Sequence, residues 1–505
     1  MGSLLSTILW RGLRHPRRVA IVDDQRTSHY LRLSLAVFHL ARLIRRSTDN
    51  PHVGVMLPTG GAMPTCILGA WQAKRVPIPL NFLLGNEELR YVIDHSGIDT
   101  LLTATPMLDF VGGRAALPDK LNVVLLDKQK WSKLPPLRWP RDPSDDEVAT
   151  ILYTSGTSGK PKGVVLTHGN LRSNVLAAIQ HAKLRQADTF LGVLPQFHSF
   201  GLTSLTLIPL SLGAKVVYTA RFVPRKILDL CRTHRPDVFL AVPSMYNALL
   251  NVKDATRDDM QSVRMPISGG EPLPEAVRKG CLDKLGIRLL EGYGLTETSP
   301  VVSWCAPHAA RDGTVGRVLP GVEVLIVDDQ DRPLPAGQDG EILIAGPNVM
   351  RGYYKQDVLT REVMIELPSP AWGGRLRPFF RSGDIGRLDA DGFLAITGRK
   401  KEMLIIGGIN VFPRDIEEVL NRHASVKDSA VIGRPDDIRG EVAVAFVETH
   451  DGQPFDEAAL RAWCREHLAG YKVPREIIRV EALPRSPTGK ILRRKLKDQS
   501  AVQSS

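Results

Sequence analysis

The stretch FRSGDIGRLDADGFLAITGRKKEMLIIGGINVFPRDIEEVL, residues 380–420, holds the change of texture that decides the fold. Its first part alternates apolar and polar residues between Gly and Asp turns, the pattern of short, half-exposed strands. The charged run GRKKEM at 398–403 has no apolar face of its own, and Gly407 and Gly408 follow closely. A domain boundary near residue 398 is therefore expected. Beyond it the pattern predicts a smaller α+β segment: a helix near 413–422, strands SAVIG and VAVAFVE, a helix over 456–468 and a strand in IIRVEAL. Upstream, from TVGRVLPGVEVLIVDDQDRPLPAGQDGEILIAG onward, short strands with Gly, Pro and Asp turns predict a β-rich subdomain.

Further towards the N-terminus, helical stretches alternate with short apolar runs. LAVFHLARLIRR precedes HVGVMLP, AMPTCILGAWQAKR precedes VPIPLN, and AKVVYT, PRKILDLCRTHR, DVFLAV and PLPEAVRKGCLDKLG continue the series. That is the signature of βαβ units and parallel sheets covered by helices. The fold class is α/β: a large N-terminal domain (1–398) of helix-covered sheets plus a β-rich subdomain, and a small α+β C-terminal domain (399–505).

The 505 residues are 43% hydrophobic and 24% charged, the balance of a soluble enzyme with a large core. No window of about 20 residues is apolar enough to span a bilayer; SFGLTSLTLIPLSLGAKVV, interrupted by Pro209, reads as buried helix and strand. The net charge of +12 suits nucleic acid, anionic lipid or anionic small molecules. No helix-turn-helix, zinc-finger or RNP pattern accompanies it, so nucleic acid is not an expected partner. Five scattered cysteines without a CxxC point to a reducing cytoplasm, with no disulfide framework or zinc site. In MGSLLSTILWRGLRHPRR the charges follow the apolar run and no cleavage site appears, so this is not a signal peptide. It reads instead as an amphipathic helix able to touch a membrane surface, which leaves peripheral membrane contact open.

YTSGTSGKPKG, residues 153–163, is rich in glycine, hydroxyl and lysine. It does not scan as GxxxxGK[ST]: counting from Gly156, the Gly-Lys places hold Pro161 and Lys162. Backbone N–H groups and hydroxyls of such a loop can wrap a polyphosphate, and Lys162 supplies charge. The same composition is compatible with a plain turn. The loop does not stand alone, however. Together with EGYGLTETSP (291–300), the 380–420 stretch and YKVPREIIRVEALPRSPTGKILRRKL (471–496), it resembles the adenylate-forming acyl-CoA synthetase superfamily, in the same order and from about residue 50 to 496.

The resemblance implies ATP, magnesium and CoA as cofactors, and acyl transfer in two steps. A carboxylate is already ionised at neutral pH, so adenylation needs two anions brought together and the charge on pyrophosphate neutralised, rather than a general base. Thr154, Ser155, Gly156, Thr157, Ser158 and Lys162 would hold the phosphates. Tyr293 would lie on the adenine, Thr296 on the α-phosphate and Glu297 on magnesium. Gly270 and Glu271 of SGGEPL would lie against the nucleotide, although many relatives carry a small residue at the position of Glu271. Asp384 matches the carboxylate that grips the ribose hydroxyls, and Arg399 the arginine reaching ribose and phosphate. Lys490, in SPTGKILRR, matches the lysine bridging the carboxylate and the α-phosphate; removing that charge should slow adenylation by about 10²–10³. Family members then rotate a mobile C-terminal domain, which makes Lys401 the hinge. Gly407 and Gly408 would let pantetheine pass, and Asn410 would lie near the adenine.

His198, in LPQFHSFGLT, matches the residue at the entrance for the incoming acid. The apolar runs that follow suit a medium- or long-chain fatty acid. FHSFGLT is also similar to synthetase halves that acylate carrier protein, so the phosphopantetheine of an acyl carrier protein stands beside CoA as the alternative acceptor.

Overall fold

The computed structural model describes residues 2–131, 134, 135, 137, 139, 142–154, 160–436, 439–450, 452–485 and 491–497. Its largest sheet has nine strands. Leu290–Gly294, Met265–Gly269, Val238–Ala241, Thr189–Gly192, Lys215–Tyr218 and Val19–Val22 run parallel, in that spatial order. Antiparallel strands close its edges: Val301–Trp304 and Arg317–Val318 on one side, Thr27–His29 on the other. A four-stranded parallel sheet, Val76–Pro79, His52–Val55, Thr100–Thr103 and Asn122–Leu125, lies beside it. Parallel pairing needs crossover helices, and the expected ones are present, among them Ala62–Gln72, Pro224–His234 and Glu275–Leu285, while Tyr30–Ser47 leads from the larger sheet to the four-stranded one. Their apolar faces and most strand interiors form the main core, with a second cluster around Ile78, Leu101 and Ile151.

The N-terminal helix Leu4–Arg14 is part of that core. Leu4, Leu5, Ile8 and Leu9 are buried, while Trp10 and Leu13 face outward. Its apolar face is thus spent inside the molecule, which corrects the expectation that this face is free for a membrane. The run FGLTSLTL is also more specific than expected. Phe200–Leu207 winds as a wide π-helix, and the Thr206 hydroxyl donates to the Gly201 carbonyl five residues back (3.1 Å) before Ile208–Leu212 returns to α-geometry.

The β-rich subdomain is an antiparallel sheet of Glu323–Val327, Gly340–Ala345, Arg375–Leu388 and Met364–Ser369, with Leu394–Arg399 paired to Arg375–Leu388. The C-terminal part has its own five-stranded sheet, including Leu404–Ile406, Ile409–Val411, Val426–Asp436, Gly440–Thr449 and Glu476–Arg479. Helices Pro413–Leu420 and Glu457–His467 cover it, close to their predicted spans. Arg399 is still a paired strand residue of the upstream sheet, and Lys400 Nζ binds Glu341 and Asp329 there, both at 3.1 Å. Leu404 is the first side chain of the C-terminal core.

The two parts touch across the Leu394–Arg399 strand. A Cβ on Gly398 would stand 2.3 Å from the Phe412 ring, so only glycine lets that ring lie on the strand. Arg414 donates to the Ile396 carbonyl at 2.7 Å.

Candidate active site

Thr154 ends the strand Val148–Thr154 and pairs with Lys162, which opens the antiparallel strand Lys162–Thr167. The glycine and hydroxyl loop therefore caps a hairpin. A Walker loop runs into a helix whose N-terminal dipole faces the phosphate; this one runs into a strand, which accounts for the broken frame. Ser155, Gly156, Thr157 and Ser158 lie outside the described residues. Lys162 Nζ is 5.4 Å from the Tyr353 ring centre. Burial holds its pKa below the usual lysine value, the Lys401 charge adds to that, and Glu297 opposes it. Lys401 and Glu297 thus both stand close to the loop lysine.

Glu297 accepts a 2.8 Å hydrogen bond from the Tyr353 hydroxyl. Burial raises its pKa, against the pull of that donor and of the Lys162 and Arg399 charges. Beside it, the buried Thr296 hydroxyl lies 3.0 Å from Ser199 Oγ. Ser199 follows His198, so one hydrogen bond joins the turn carrying His198 to the turn carrying Thr296 and Glu297. His198 itself is exposed, and its Nδ1 accepts from the Phe200 N–H at 3.3 Å.

Asp384 is buried and doubly held. The Tyr293 hydroxyl donates to one oxygen at 2.6 Å and Arg399 Nε to the other at 2.9 Å. Asp384 and Arg399 are cross-strand partners, so their pairing follows from sheet register. Each carboxylate oxygen keeps a lone pair for a further donor such as a sugar hydroxyl. Tyr293, Thr296, Glu297, Asp384, Arg399, Lys162 and Lys401 are therefore gathered into one electrostatic cluster. Gly270 and Glu271 follow directly on the strand Met265–Gly269, next to the one bearing Tyr293.

Gly407 and Gly408 link two hairpin strands and have φ of +59° and +78°. Two positive φ angles in a two-residue hairpin are the demand of a type I′ turn, which by itself explains a Gly-Gly pair. A Cβ at either would meet nothing within 4 Å. Asn410 is exposed in the second strand. Among the described residues, no hydrogen bond or ion pair joins Gly407, Gly408 or Asn410 to the Asp384 cluster. Lys490 lies outside the described residues, but its tail returns at Ile491. Arg493 Nη2 reaches both carboxylate oxygens of Glu417 at 2.7 and 2.8 Å, and Nη1 reaches Glu402 at 3.2 Å, beside Lys401.

Three residues here escaped the sequence reading. Tyr353, in RGYYK, serves Glu297 and Lys162 at once. Arg493 sits in a run that reads as ordinary basic tail. Glu291 opens EGYG, and burial pushes its carboxyl up to about 7 despite the nearby Arg414 and Arg278. None has a local signal, because each acquires its partner only through long-range packing.

The chain matches the family described as AMP-binding enzyme over residues 9–354 and the AMP-binding enzyme C-terminal domain over 415–490. It is 33% identical over 487 residues to a feruloyl-CoA synthase of an Amycolatopsis species, covering 96% of each chain. It is 37% identical over 365 residues to a long-chain-fatty-acid–CoA ligase of Yersinia pestis, covering 71% of this chain and 62% of that one. ATP-bound MatB from Rhodopseudomonas palustris shares 29% identity over 99% of both chains with a TM-score of 0.89; the apo form of that protein gives 0.78. The chain thus belongs to the AMP-binding enzyme family, within the adenylate-forming acyl-CoA synthetase superfamily.

Proposed function

We propose that this protein is an ATP-dependent acyl-CoA synthetase. It joins a carboxylic acid to AMP with release of pyrophosphate, then passes the acyl group to the thiol of CoA. It is an AMP-forming acid–thiol ligase that uses ATP, magnesium and CoA. The observation carrying this reading is the cluster in which Tyr293 and Arg399 hold Asp384 beside Glu297 and Lys162. It offers acceptors for a ribose and cations for a polyphosphate within one site.

Asp384 takes the ribose hydroxyls, with Tyr293 and Arg399 fixing the carboxylate. Lys162, Thr154 and Thr296 hold the phosphates with the loop residues, and Lys490 bridges the acid and the α-phosphate. When bound, magnesium offsets the charge developing on the departing pyrophosphate. Glu297 suits it: such an ion is typically held by one or two carboxylates plus substrate oxygens, and among the described residues no group of three or more His, Cys, Asp or Glu forms a metal cage. The chain divides just after Lys400, two residues beyond the expected 398/399 boundary because Arg399 and Lys400 are held on the upstream sheet; Lys401 is the pivot, and rotation of the C-terminal part exchanges Lys490 for the Gly407–Gly408 hairpin in the thiol step. The higher TM-score against the ATP-bound relative fits a nucleotide-binding arrangement here.

The acid is an apolar one, with a medium- or long-chain fatty acid as the first choice. The buried, leucine-rich run 202–210 behind His198 and the Yersinia pestis relative support this; the feruloyl-CoA relative makes an aromatic acid the second choice. No described helix is long and apolar enough to cross a membrane, and all five cysteines are free and buried, which goes with a cytoplasmic enzyme.

The test is pyrophosphate release from ATP and magnesium across acids from acetate to oleate and ferulate, with and without CoA. Release sustained only with CoA, for one class of acid, is the expected result. A burst indifferent to CoA but sustained by phosphopantetheinylated carrier protein would move the acceptor to that protein. Silence with every acid would overturn the reading.

A further inference from the structure

The π-helix Phe200–Leu207 is held by buried polar side chains from outside its own span. Gln196, two residues before His198, is buried. The Gly60 N–H donates to its Oε1 at 2.9 Å, which fixes the amide and turns Nε2 to the Thr206 hydroxyl at 3.0 Å. Accepting there, Thr206 gives its single proton to the Gly201 carbonyl, so the donors along this line all run one way. Tyr218, buried at the end of strand Lys215–Tyr218, donates to the Leu205 carbonyl at 2.8 Å. Pro209 stands four residues after Leu205 and has no N–H for that carbonyl. The tyrosine thus supplies the bond that an α-helix would have made there.

Both supports are founded on neighbouring strands of the large sheet. Tyr218 is the register partner of Gly192, and a Cβ on that glycine would stand 2.5 Å from the tyrosine ring. Glycine therefore opens the slot that the ring fills. Gly61, next to Gly60, donates to Asp23 at 2.9 Å, just past strand Val19–Val22, which pairs with Lys215–Tyr218. The other end of the π-helix touches the candidate site. A Cβ on Gly269 would come within 3.2 Å of the Phe200 ring, so that ring lies on the strand end that leads to Gly270 and Glu271. Ser199, one residue earlier, meets Thr296.

We propose that Gln196, Thr206 and Tyr218 are positioning residues for the acid-binding side of the reaction. They brace the π-helix so that the turn carrying His198 and Ser199 stays aimed at Thr296. This rests on the reading of His198 as the residue at the entrance for the acid. A π-helix is wider than an α-helix and is retained mostly at functional sites. Relaxation to α-geometry would swing the start of the helix by on the order of 100° about its axis, the turn contributed by one residue. Ser199 would then leave Thr296, and Phe200 would leave Gly269. The three bracing side chains touch no reacting atom and act only through that turn.

The test compares three full-length variants in the pyrophosphate assay, with the acid that the wild type uses best. Thr206→Val keeps the shape and loses both hydroxyl bonds, whereas Thr206→Ser keeps the hydroxyl. Tyr218→Phe removes the donor to Leu205 and leaves the ring in its slot. Thr206→Val and Tyr218→Phe should each raise KM for the acid about tenfold while KM for ATP stays within about twofold of wild type. Thr206→Ser should stay close to wild type in both. A purely structural role would lower the melting temperature without that split between the two substrates. If Thr206→Val does not fold, Tyr218→Phe decides. An unchanged KM for the acid, or a KM for ATP that rises as much, would overturn the inference while leaving the reaction in place. A wild type silent with every acid would overturn the reaction itself, and the brace's role with it.

Discussion

Glu291 opens the strand that carries Tyr293, yet burial pushes its carboxyl from an ordinary value of 4.5 up to about 7. Arg414, from the C-terminal part, and Arg278 pull it down; Glu418 and Asp312 push it further up. Between those two values the folded protein holds a proton that the unfolded chain has released. Stability therefore falls as pH rises through the window, and the penalty is complete above pH 7. Linkage makes the full penalty about 3 kcal/mol, of which about 2–3 kcal/mol develops between pH 5 and pH 8. Glu291→Gln keeps the shape and removes the titration. Against wild type, the variant should gain little at pH 5 and about 2–3 kcal/mol at pH 8, as read by urea unfolding across that range. Parallel pH profiles for the two proteins would refute the reasoning, because they would mean that Glu291 ionises in the fold as it does in water.

Other outcomes follow from single contacts. Asp384→Asn removes the charged acceptor shared by Tyr293 and Arg399, and should raise KM for ATP about 10–100-fold in a pyrophosphate assay, with a smaller change in kcat. Tyr353→Phe removes the 2.8 Å donor from Glu297 but leaves the ring near Lys162; the magnesium concentration for half-maximal rate should rise about tenfold. Arg493→Ala strands the Glu417 carboxylate and should weaken the C-terminal part by about 2–3 kcal/mol, seen as faster hydrogen exchange over 413–436; Glu417→Gln in the same chain should restore part of that loss.

How far the sequence could be read depended on the range of the interaction. Parallel sheets, the β-rich subdomain and the C-terminal helices were legible because each rests on local periodicity and turn chemistry. The pairing of Asp384 with Arg399 lay inside one quoted stretch, and a strand–turn–strand register delivers it. Tyr353 was invisible: fifty-six residues separate it from Glu297, and only packing of the Gly352–Tyr353 strand on Lys162–Thr167 brings them together. Glu291 was read as the first letter of EGYG because burial is not a property of the letter. The glycine pair at 407–408 shows the converse limit. Its turn geometry is sufficient reason for both residues, so a role in passing pantetheine has to come from experiment.

The join between the two parts also has an engineering consequence. Lys400 is fastened to Glu341 and Asp329 on the upstream sheet, and Leu404 is already inside the C-terminal core. Residues 401–403 lie between these two anchors, with Glu402 already ion-paired to Arg493 of the C-terminal part. A chimera spliced within those three residues would inherit both anchor points intact, whereas a splice at the visible end of the sheet, before Arg399, would hand Asp384 a foreign partner. Exchange of C-terminal parts between relatives should therefore tolerate a cut after Lys400 and fail with one a few residues earlier, provided that the incoming part brings an aromatic ring to lie on Gly398.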